Sequence, residues 1–293
     1  MLIDTHAHLY WDSFKDDLDE VIKHSIQTGV TTMINVGVDV EKSREALRQA
    51  QRIFSEQSRT IAVYSTIGIH PHESVKYLSG GLEEDIKKLE EIYSENPTKV
   101  IGVGECGLDY FFDPEFTPKD LTVDQLKDLQ RQLFKAQIDL AKKLNLPLII
   151  HCRDDRSKDP KNSEAWDETL EIIEDYPAIL HCYSGLSSIT NKIFNMENTL
   201  VSFAATLTYP KNDYLREAAR LLPLEKIVLE TDCPFLPPQS KRGQRNEPST
   251  VKEIAQLIAD LKGVSFEEVA NQTTDNANRI LNIDPSTRFA RSR

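Results

Sequence analysis

A repeated alternation of short apolar runs with longer amphipathic stretches is the feature of this sequence that most constrains its fold. Eight runs rich in β-branched residues predict strands at residues 2–8, 31–37, 61–70, 100–104, 146–151, 178–181, 200–204 and 227–230. Amphipathic stretches predict helices at residues 16–28, 40–55, 82–95, 123–144, 163–175, 213–222, 249–261 and 265–281. Apolar strands joined by helices form parallel sheets that helices cover.

Eight such units predict an α/β fold of the (β/α)8 TIM-barrel type in a single domain. The alternative is an open, doubly wound sheet, which often carries a glycine-rich phosphate loop after its first strand. Here the first strand ends in His6-Ala7-His8 instead. We therefore expect the barrel to span residues 1–283. Residues 284–293 contain three arginines and little apolar content, which predicts a flexible C-terminal tail.

The acidic composition restricts the partners of the chain. The 293 residues include 35 Lys and Arg against 47 Asp and Glu, for a net charge of −12. The surface as a whole should therefore repel nucleic acid and anionic membranes, so a polyanionic substrate needs a local site of capture. The sequence shows no apolar run long enough to span a bilayer, and it shows no basic segment followed by an apolar one as in a signal peptide. We therefore expect a cytoplasmic protein with no membrane partner and no obligate protein partner.

Metal-competent side chains occur at the ends of five predicted strands. They are His6, His8, Glu105, His151, His181 and Asp232. The carboxyl ends of barrel strands form the face that holds the active site in barrel enzymes. Taken alone, any one of these residues is more often a hydrogen-bonded polar group than a metal ligand. Packed together without a cation, however, they would be costly through desolvation and mutual repulsion, so the set predicts a divalent-metal site.

The number and type of these residues indicate the form of the site. Mixed imidazole and carboxylate ligation suits Zn, Mn, Fe or Co better than Mg. Six ligands are too many for one tetrahedral ion and fit two adjacent ions that share a bridging carboxylate. Glu105 is the predicted bridge, because its strand lies between those of the two histidine pairs. Asp232 is predicted to orient or deprotonate the attacking water, so Glu105 and Asp232 are the predicted catalytic residues.

Each of the four cysteines directly follows a predicted ligand. They are Cys106, Cys152, Cys182 and Cys233. Neighbouring side chains of a strand point to opposite faces, so ligands that face the barrel interior would leave the thiols facing the helices. If the cysteines were ligands of a structural zinc ion, they would occur as pairs at short spacing, and the sequence has no such pair. We therefore expect small buried side chains.

Seven motifs resemble those of the TatD family of metal-dependent deoxyribonucleases, in the amidohydrolase-like group of barrel hydrolases. They are Ile3-Asp4-Thr5-His6-Ala7-His8, Gly68-Ile69-His70-Pro71, Gly102-Val103-Gly104-Glu105-Cys106-Gly107-Leu108-Asp109, His151-Cys152-Arg153, His181-Cys182-Tyr183-Ser184-Gly185, Glu230-Thr231-Asp232-Cys233-Pro234 and Arg245-Asn246-Glu247-Pro248. The resemblance extends to about Leu281. It implies one or two divalent ions, Zn, Mn or Mg, on the six residues above, and an exonuclease that hydrolyses DNA at single-stranded or frayed ends.

Two features depart from the family pattern. Cys106 stands where the family often has an aliphatic residue, which should matter little at an outward-facing position. The loop of residues 154–162 is longer and more charged than the usual form, and it bears on how a substrate reaches the site.

Three further residues are predicted to bind the substrate. Arg153 lies two residues beyond His151 and would place its guanidinium on a phosphate. A salt bridge with Asp154 or Asp155 is the alternative for that arginine. His70 follows the third strand and would contact the scissile phosphate or support a ligand. Arg245 belongs, with the basic residues at positions 241 and 242, to a cluster that would hold phosphate or simply be solvated.

Aromatic residues follow most of the candidate ligands. They are Tyr10, Trp11, Tyr110, Phe111, Phe112, Tyr183, Tyr209 and Phe235. Rings in such places either stack on unpaired bases or pack over the barrel mouth. Our hypothesis is that Tyr10, Trp11 and Phe112 stack on bases.

The six candidate ligands predict a metal-dependent hydrolase that uses a metal-activated water, and the family resemblance implies that it hydrolyses ester bonds as a deoxyribonuclease that cleaves DNA phosphodiesters. One alternative keeps the site and changes the bond, as in a metal-dependent esterase, lactonase or aminoacyl-tRNA deacylase. A second alternative is a non-catalytic nucleic-acid-binding barrel, which the presence of all six ligands disfavours.

Overall fold

Eight parallel strands form the centre of the computed structural model of the chain. The structure describes residues 1–57, 61–112, 118 and 120–283. The strands are β1 (Leu2–Ala7), β2 (Val30–Asn35), β3 (Ala62–Ile67), β4 (Val100–Asp109), β5 (Leu148–Arg153), β6 (Ala178–Leu180), β7 (Thr199–Phe203) and β8 (Ile227–Leu229). Each strand pairs in parallel with the next one, so the order of the strands in the sheet is their order in the chain.

Helices connect the strands and cover the outside of the sheet. In the described ranges they are α1 (Leu18–Gln27), α2 (Val40–Gln57), α3 (Leu82–Glu95), α4 (Val123–Leu144), α5 (Glu164–Ile173), α6 (Ser187–Phe194), α7 (Asp213–Leu221), α8 (Val251–Lys262) and α9 (Phe266–Ile280). Short 3-10 helices occur at Asp12–Phe14, Pro71–Ser79, Ala205–Thr208, Leu224–Lys226, Gln239–Lys241 and Pro248–Thr250. None of the helices in these ranges combines the length and apolar character needed to cross a membrane.

Contacts between β1 and the chain after β8 close the sheet into a barrel. The His8 amide donates to the Cys233 carbonyl at 2.8 Å, and the Asp232 amide donates to the His6 carbonyl at 2.9 Å. The buried Asp4 carboxylate reinforces this seam, because it accepts hydrogen bonds from the Thr231 amide at 2.9 Å and from the Thr231 hydroxyl at 2.6 Å. The predicted (β/α)8 TIM barrel is confirmed, and the open doubly wound alternative is wrong.

Alternation along the strands divides the buried core into two layers. The inner layer fills the barrel, and every strand contributes to it: Ile3, Ile34, Ala62, Ile101, Ile149, Ile179, Leu200 and Val228. The outer layer lies between barrel and helices and takes their sequence neighbours, such as Leu2 and Met33. The end of α9, with Ile280 and Leu281, joins the inner layer and closes the barrel at the amino ends of the strands. The carboxyl ends are left for functional side chains.

Helix α6 was not predicted from the sequence, and strand β4 extends beyond its predicted end. The helix has only 8 residues, too few for its periodicity to stand out. Strand β4 continues to Asp109 although glycines interrupt its pattern. One of them, Gly104, has a φ of 155°, and a Cβ there would lie 2.3 Å from the Ile149 carbonyl oxygen. The predicted tail at residues 284–293 lies outside the described residues.

A buried lysine at the start of β4 makes the stability of the barrel depend on pH. Lys99 is 7% exposed and donates to the Val63 carbonyl at 2.8 Å, and burial lowers its pKa to about 8. The unfolded chain therefore binds more protons between about pH 8 and the ordinary lysine pKa, so stability should rise with pH there. We expect the wild-type free energy of unfolding to gain about 2 kcal/mol between pH 8 and 10 relative to Lys99→Met, measured by urea unfolding.

An exposed lysine supplies the control for this measurement. Lys135→Met removes a charge from the exposed face of α4 and should leave the pH dependence of unfolding unchanged. Parallel curves of unfolding free energy against pH for the wild type and the Lys99→Met variant would contradict the prediction.

Candidate metal centre

All six predicted ligand residues lie together at the carboxyl ends of the strands. They adjoin a cavity of about 630 Å³ that five of them line directly. The sixth, His6, lies beneath the cavity floor and is completely buried. Residues far apart in the chain are therefore gathered at one point, at the end of the barrel where the sequence analysis placed them.

Glu105 lies at the centre of this cluster. Its Oε2 atom is 3.4 Å from His6 Nε2 and 3.8 Å from His8 Nε2. Its Oε1 atom is 3.0 Å from His151 Nδ1 and 3.2 Å from His181 Nε2. The two carboxylate oxygens thus divide four imidazoles into two pairs, which is the geometry of a carboxylate placed between two ion sites.

An irregularity in β4 turns the Glu105 side chain into the cavity. The pairing of β4 with β5 shifts register between Val103 and Cys106. At this irregularity the Glu105 amide donates instead to the Gly37 carbonyl, after β2, at 2.7 Å. Irregularities of this kind re-aim side chains beside functional sites. The strand therefore presents a carboxylate between its neighbours without losing its place in the barrel.

Asp232 is a second carboxylate beside His6 and His8. Its Oδ1 atom is 3.4 Å from His8 Nε2 and 3.8 Å from His6 Nε2. Burial acts to raise the pKa of Asp232, but a hydrogen bond with His8 and the charges of the nearby imidazoles hold that pKa below its usual value. Its side chain is 13% exposed against 6% for Glu105. Asp232 is thus an ionised carboxylate with more access to solvent than the central one.

Two buried carboxylates orient the second pair of imidazoles. The Glu230 carboxylate lies 3.0 Å from His181 Nδ1, and the Asp109 carboxylate lies 2.9 Å from His151 Nε2. Carboxylates that hold the far nitrogen of a ligand histidine fix its ring and raise its basicity. The Glu230 contact leaves His181 Nε2 directed at the central carboxylate.

Neither of these carboxylates was predicted from the sequence as a site residue. Glu230 lies two residues before Asp232, the spacing that puts His6 and His8 on one face of a strand, so this signal was available. Asp109 lay beyond the predicted end of β4, and only the longer strand of the structure brings it to the site.

Opposite charges alternate through the cluster. Burial alone would raise the pKa of Glu105, but the positive charge of His181 and hydrogen bonds from His151 and His181 hold it well below its usual range. Burial lowers the pKa of His70 to about 3, with a contribution from His151. Burial disfavours charge on His151, yet hydrogen bonds with Asp109 and Glu105 raise its pKa to about 9. A bound cation would take the place of such protons, because ligand histidines must be neutral.

The donor set fits a divalent metal. Two buried polar atoms of the cluster, His6 Nδ1 and Glu230 Oε2, have no hydrogen-bond partner among the described residues. The Nε2 atoms of His6 and His8 face each other at 3.2 Å and share at most one proton, whereas a cation satisfies both lone pairs. Among the residues that the structure describes, three groups have ligand atoms within 4.8 Å of one another: His6, His8 and Asp232; His6, His181 and Glu230; His70, Glu105 and His151.

Two of the three predicted substrate-binding residues line the cavity, and they are His70 and Arg153. His70 Nε2 lies 3.5 Å from Glu105 Oε1. The guanidinium carbon of Arg153 lies 4.0 Å from the ring centroid of Phe111. The alternative for Arg153 was a salt bridge with Asp154 or Asp155, but Asp154 pairs with Arg156 at 3.4 Å and Asp155 accepts a hydrogen bond from the Ser157 amide at 2.9 Å. The exposed Arg153 is therefore placed to meet an anion at the cavity.

Arg245, the third of these residues, is held elsewhere. Its guanidinium donates to both carboxylate oxygens of Asp17, at 2.8 and 2.6 Å, and to Glu247 at 3.2 Å. It is not among the described residues that line the cavity. Two carboxylates already offset its charge, so contact with a phosphate would require it to leave them.

The structure separates the three aromatic residues of the stacking hypothesis. Tyr10 is 4% exposed and its hydroxyl donates to the Val36 carbonyl at 2.9 Å, so its faces are not accessible to a base. Phe112 packs against the outer core layer, with its ring 6.2 Å from that of Tyr110. Trp11 alone of the three is exposed and lines the cavity.

The prediction for the cysteines is confirmed for three of them and wrong for Cys182. Cys106, Cys152 and Cys233 belong to the outer core layer, and Cys152 Sγ accepts a hydrogen bond from Thr169 on α5 at 3.3 Å. Cys182 also lines the cavity but, unlike the other three, is only partly buried and is not part of the outer core layer. Strand β6 has already ended and Cys182 has a φ of 43°, so the alternation of faces no longer applies. All four cysteines are free thiols.

Comparison with known proteins identifies the relatives of this chain. The family model described as TatD related DNase matches residues 3–282. The chain is 35% identical over 289 residues to an uncharacterized metal-dependent hydrolase, YabD, of Bacillus subtilis, covering 97% of this chain and 100% of that one. It is 30% identical over 290 residues to the 3'-5' ssDNA/RNA exonuclease TatD of Erwinia tasmaniensis, covering 96% and 100%.

A solved structure supports the same fold. The crystal structure of YJJV, a TatD homolog from Escherichia coli, superposes with a TM-score of 0.79. The alignment covers 97% of this chain and 98% of that one at 24% sequence identity. The likeness extends over the whole barrel.

Proposed function

The chain belongs to the family of TatD related DNases, and from this premise we propose that it is a metal-dependent exonuclease that hydrolyses phosphodiester bonds of single-stranded DNA. The names of its relatives support this assignment at two levels. Several are metal-dependent hydrolases, and others are 3'-5' ssDNA/RNA exonucleases. The proposal takes DNA as the substrate and single strands or frayed ends as its form.

One observation carries the proposal: the Glu105 carboxylate lies between two groups of metal-competent side chains at the floor of an open cavity. One group consists of His6, His8 and Asp232, and the other consists of His151 and His181, which both lie near Glu105 Oε1. Two ions held by these groups, with Glu105 between them, would supply Lewis-acid stabilisation of the phosphate and lower the pKa of an attacking water. The donors suit Zn or Mn, and Mg less well.

The side chains at the cavity have distinct roles in the proposed reaction. Asp232 is ionised and more exposed than Glu105, so it accepts the proton of the attacking water. Arg153 holds a non-bridging phosphate oxygen through its guanidinium. His70 is neutral at pH 7, because burial lowers its pKa to about 3, and it donates a hydrogen bond to the phosphate. Glu230 and Asp109 keep the imidazoles in place.

Metal analysis combined with an activity screen tests the proposal. We expect the purified protein to contain one or two divalent ions per chain, to lose hydrolysis of a single-stranded oligonucleotide after dialysis against a chelator, and to regain it with Mn or Zn. The same strand in a duplex should be cut more slowly. Oligonucleotides labelled at the 5′ or 3′ end show the polarity, and the matching RNA strand shows the sugar preference.

An aminoacyl ester serves as the comparison substrate in this screen. Hydrolysis of the ester without cleavage of any oligonucleotide would replace the proposal with an esterase. A protein with no bound ion and no metal-stimulated hydrolysis would overturn both the metal site and the activity.

A further inference from the structure

Two exposed aromatic side chains meet at the rim of the metal cavity. Trp11 is 37% exposed and Phe235 is 41% exposed, and both line the cavity. Their ring centroids lie 5.2 Å apart with an angle of 76° between the ring planes. Large apolar side chains are normally buried, so a contacting pair left open to solvent beside a site is a candidate binding surface.

Backbone hydrogen bonds fix both rings relative to the candidate ligands. The Trp11 amide donates to the His8 carbonyl at 3.1 Å, and the Phe235 amide donates to the Asp232 carbonyl at 2.9 Å. The His8 ring lies 6.2 Å from the Trp11 ring and 6.0 Å from the Phe235 ring. The aromatic pair is therefore held directly beside the first group of metal-competent side chains.

The opposite wall of the cavity has a different chemistry. Arg153 lies there over Phe111, with its guanidinium carbon 4.0 Å from the ring centroid. Arg153, which can bind a phosphate, thus lies across the metal centre from the rings of Trp11 and Phe235, which can stack on a planar apolar group. A nucleotide chain offers these two kinds of group side by side, with its charge on the phosphate and its flat surface on the base.

We propose that Trp11 and Phe235 form a stacking site for the unpaired nucleobase next to the scissile phosphate. This inference rests on the proposed function and names the part of the substrate that the cavity rim would bind, which is the base. In a duplex each internal base is covered on both faces, and a terminal base is held by its pairing partner and by one stacked neighbour, so the site favours an unpaired or frayed base. Rings recognise any base by its π face, so the site distinguishes single from double strands and reads little sequence.

Tryptophan fluorescence reports directly on this site. The chain has two tryptophans, and the other one, Trp166, is completely buried. In a Trp166→Phe background Trp11 is the only tryptophan, and excitation at a wavelength that tyrosine does not absorb isolates its emission. The metal-loaded protein is titrated with a hexamer of thymidines joined by phosphorothioates, which slow hydrolysis. An abasic hexamer with the same backbone is the matched probe, since it has the same charges and lacks the bases.

We expect the thymidine hexamer to quench Trp11 emission in a saturable manner. The abasic hexamer should bind about tenfold more weakly and leave the emission unchanged. Phe235→Leu keeps apolar volume without a π face and should weaken binding of the thymidine hexamer about tenfold, whereas Phe235→Tyr should retain it. Phe194→Leu is the control, because Phe194 is 48% exposed and does not line the cavity.

Equal binding of the two hexamers with no change in Trp11 emission would overturn the stacking site. If metal-dependent cleavage of single strands is still observed, the proposed function stands and only this inference fails. Metal content and thermal unfolding of the Phe235 variants confirm that they are folded. A Leu variant that is folded and metal-loaded yet binds the thymidine hexamer like the wild type would also overturn the inference.

Discussion

Glu105→Gln is expected to lower kcat on a single-stranded oligonucleotide by at least about 10³-fold and to reduce the bound metal to one ion or fewer per chain. The amide has one oxygen in place of two, and its NH2 group cannot bind a cation. Whichever way it turns, it presents hydrogens to one of the two imidazole pairs, which now lie 3.0–3.8 Å from a carboxylate oxygen. Steady-state kinetics and metal analysis of the purified variant measure both effects.

The matched control for this variant is Glu20→Gln. Glu20 is 74% exposed on α1 and pairs with Lys23, so its loss removes one negative charge far from the cavity. Metal content and kcat should both stay at the wild-type level in the control. A Glu105→Gln protein that keeps its full metal content and has a kcat within tenfold of the wild-type value would show that this carboxylate does not bridge the two imidazole pairs.

Asp232→Asn is expected to separate metal binding from turnover. Asparagine keeps one oxygen donor and tolerates the φ of 57° at this position, so most of the metal should remain bound. It cannot accept a proton as the ionised carboxylate does, so kcat should fall about 10²- to 10⁴-fold. Metal analysis and steady-state kinetics on the same preparation show whether the two properties separate.

The control here is Asp213→Asn, at an exposed position at the start of α7 where the carboxylate pairs with Arg216. It should leave kcat unchanged. Unchanged turnover in Asp232→Asn would remove this residue from the role of base. Loss of all metal would instead make Asp232 an essential ligand whose catalytic role this variant does not test.

The barrel was predictable because its signals are local. The apolar strands and amphipathic helices each leave a periodic pattern within a window of ten to twenty residues, and right-handed crossovers between parallel strands leave few topologies to choose from. Helix α6 was not predicted, because 8 residues are too few to show a helical period in the sequence. Strand β4 was cut short because its glycines look like a loop in sequence and form a close approach to β5 in the structure.

The sequence by itself determined the fold and the gathering of His6, His8, Glu105, His151, His181 and Asp232, because parallel strands in a barrel bring all their carboxyl ends to one place. Only the tertiary structure decided how the surrounding side chains are used. Asp109 and Glu230 orient imidazoles, Arg245 is held by carboxylates away from the cavity, and Cys182 faces inward. These outcomes depend on the partner that each side chain meets from a distant part of the chain, and local periodicity carries no information about that partner.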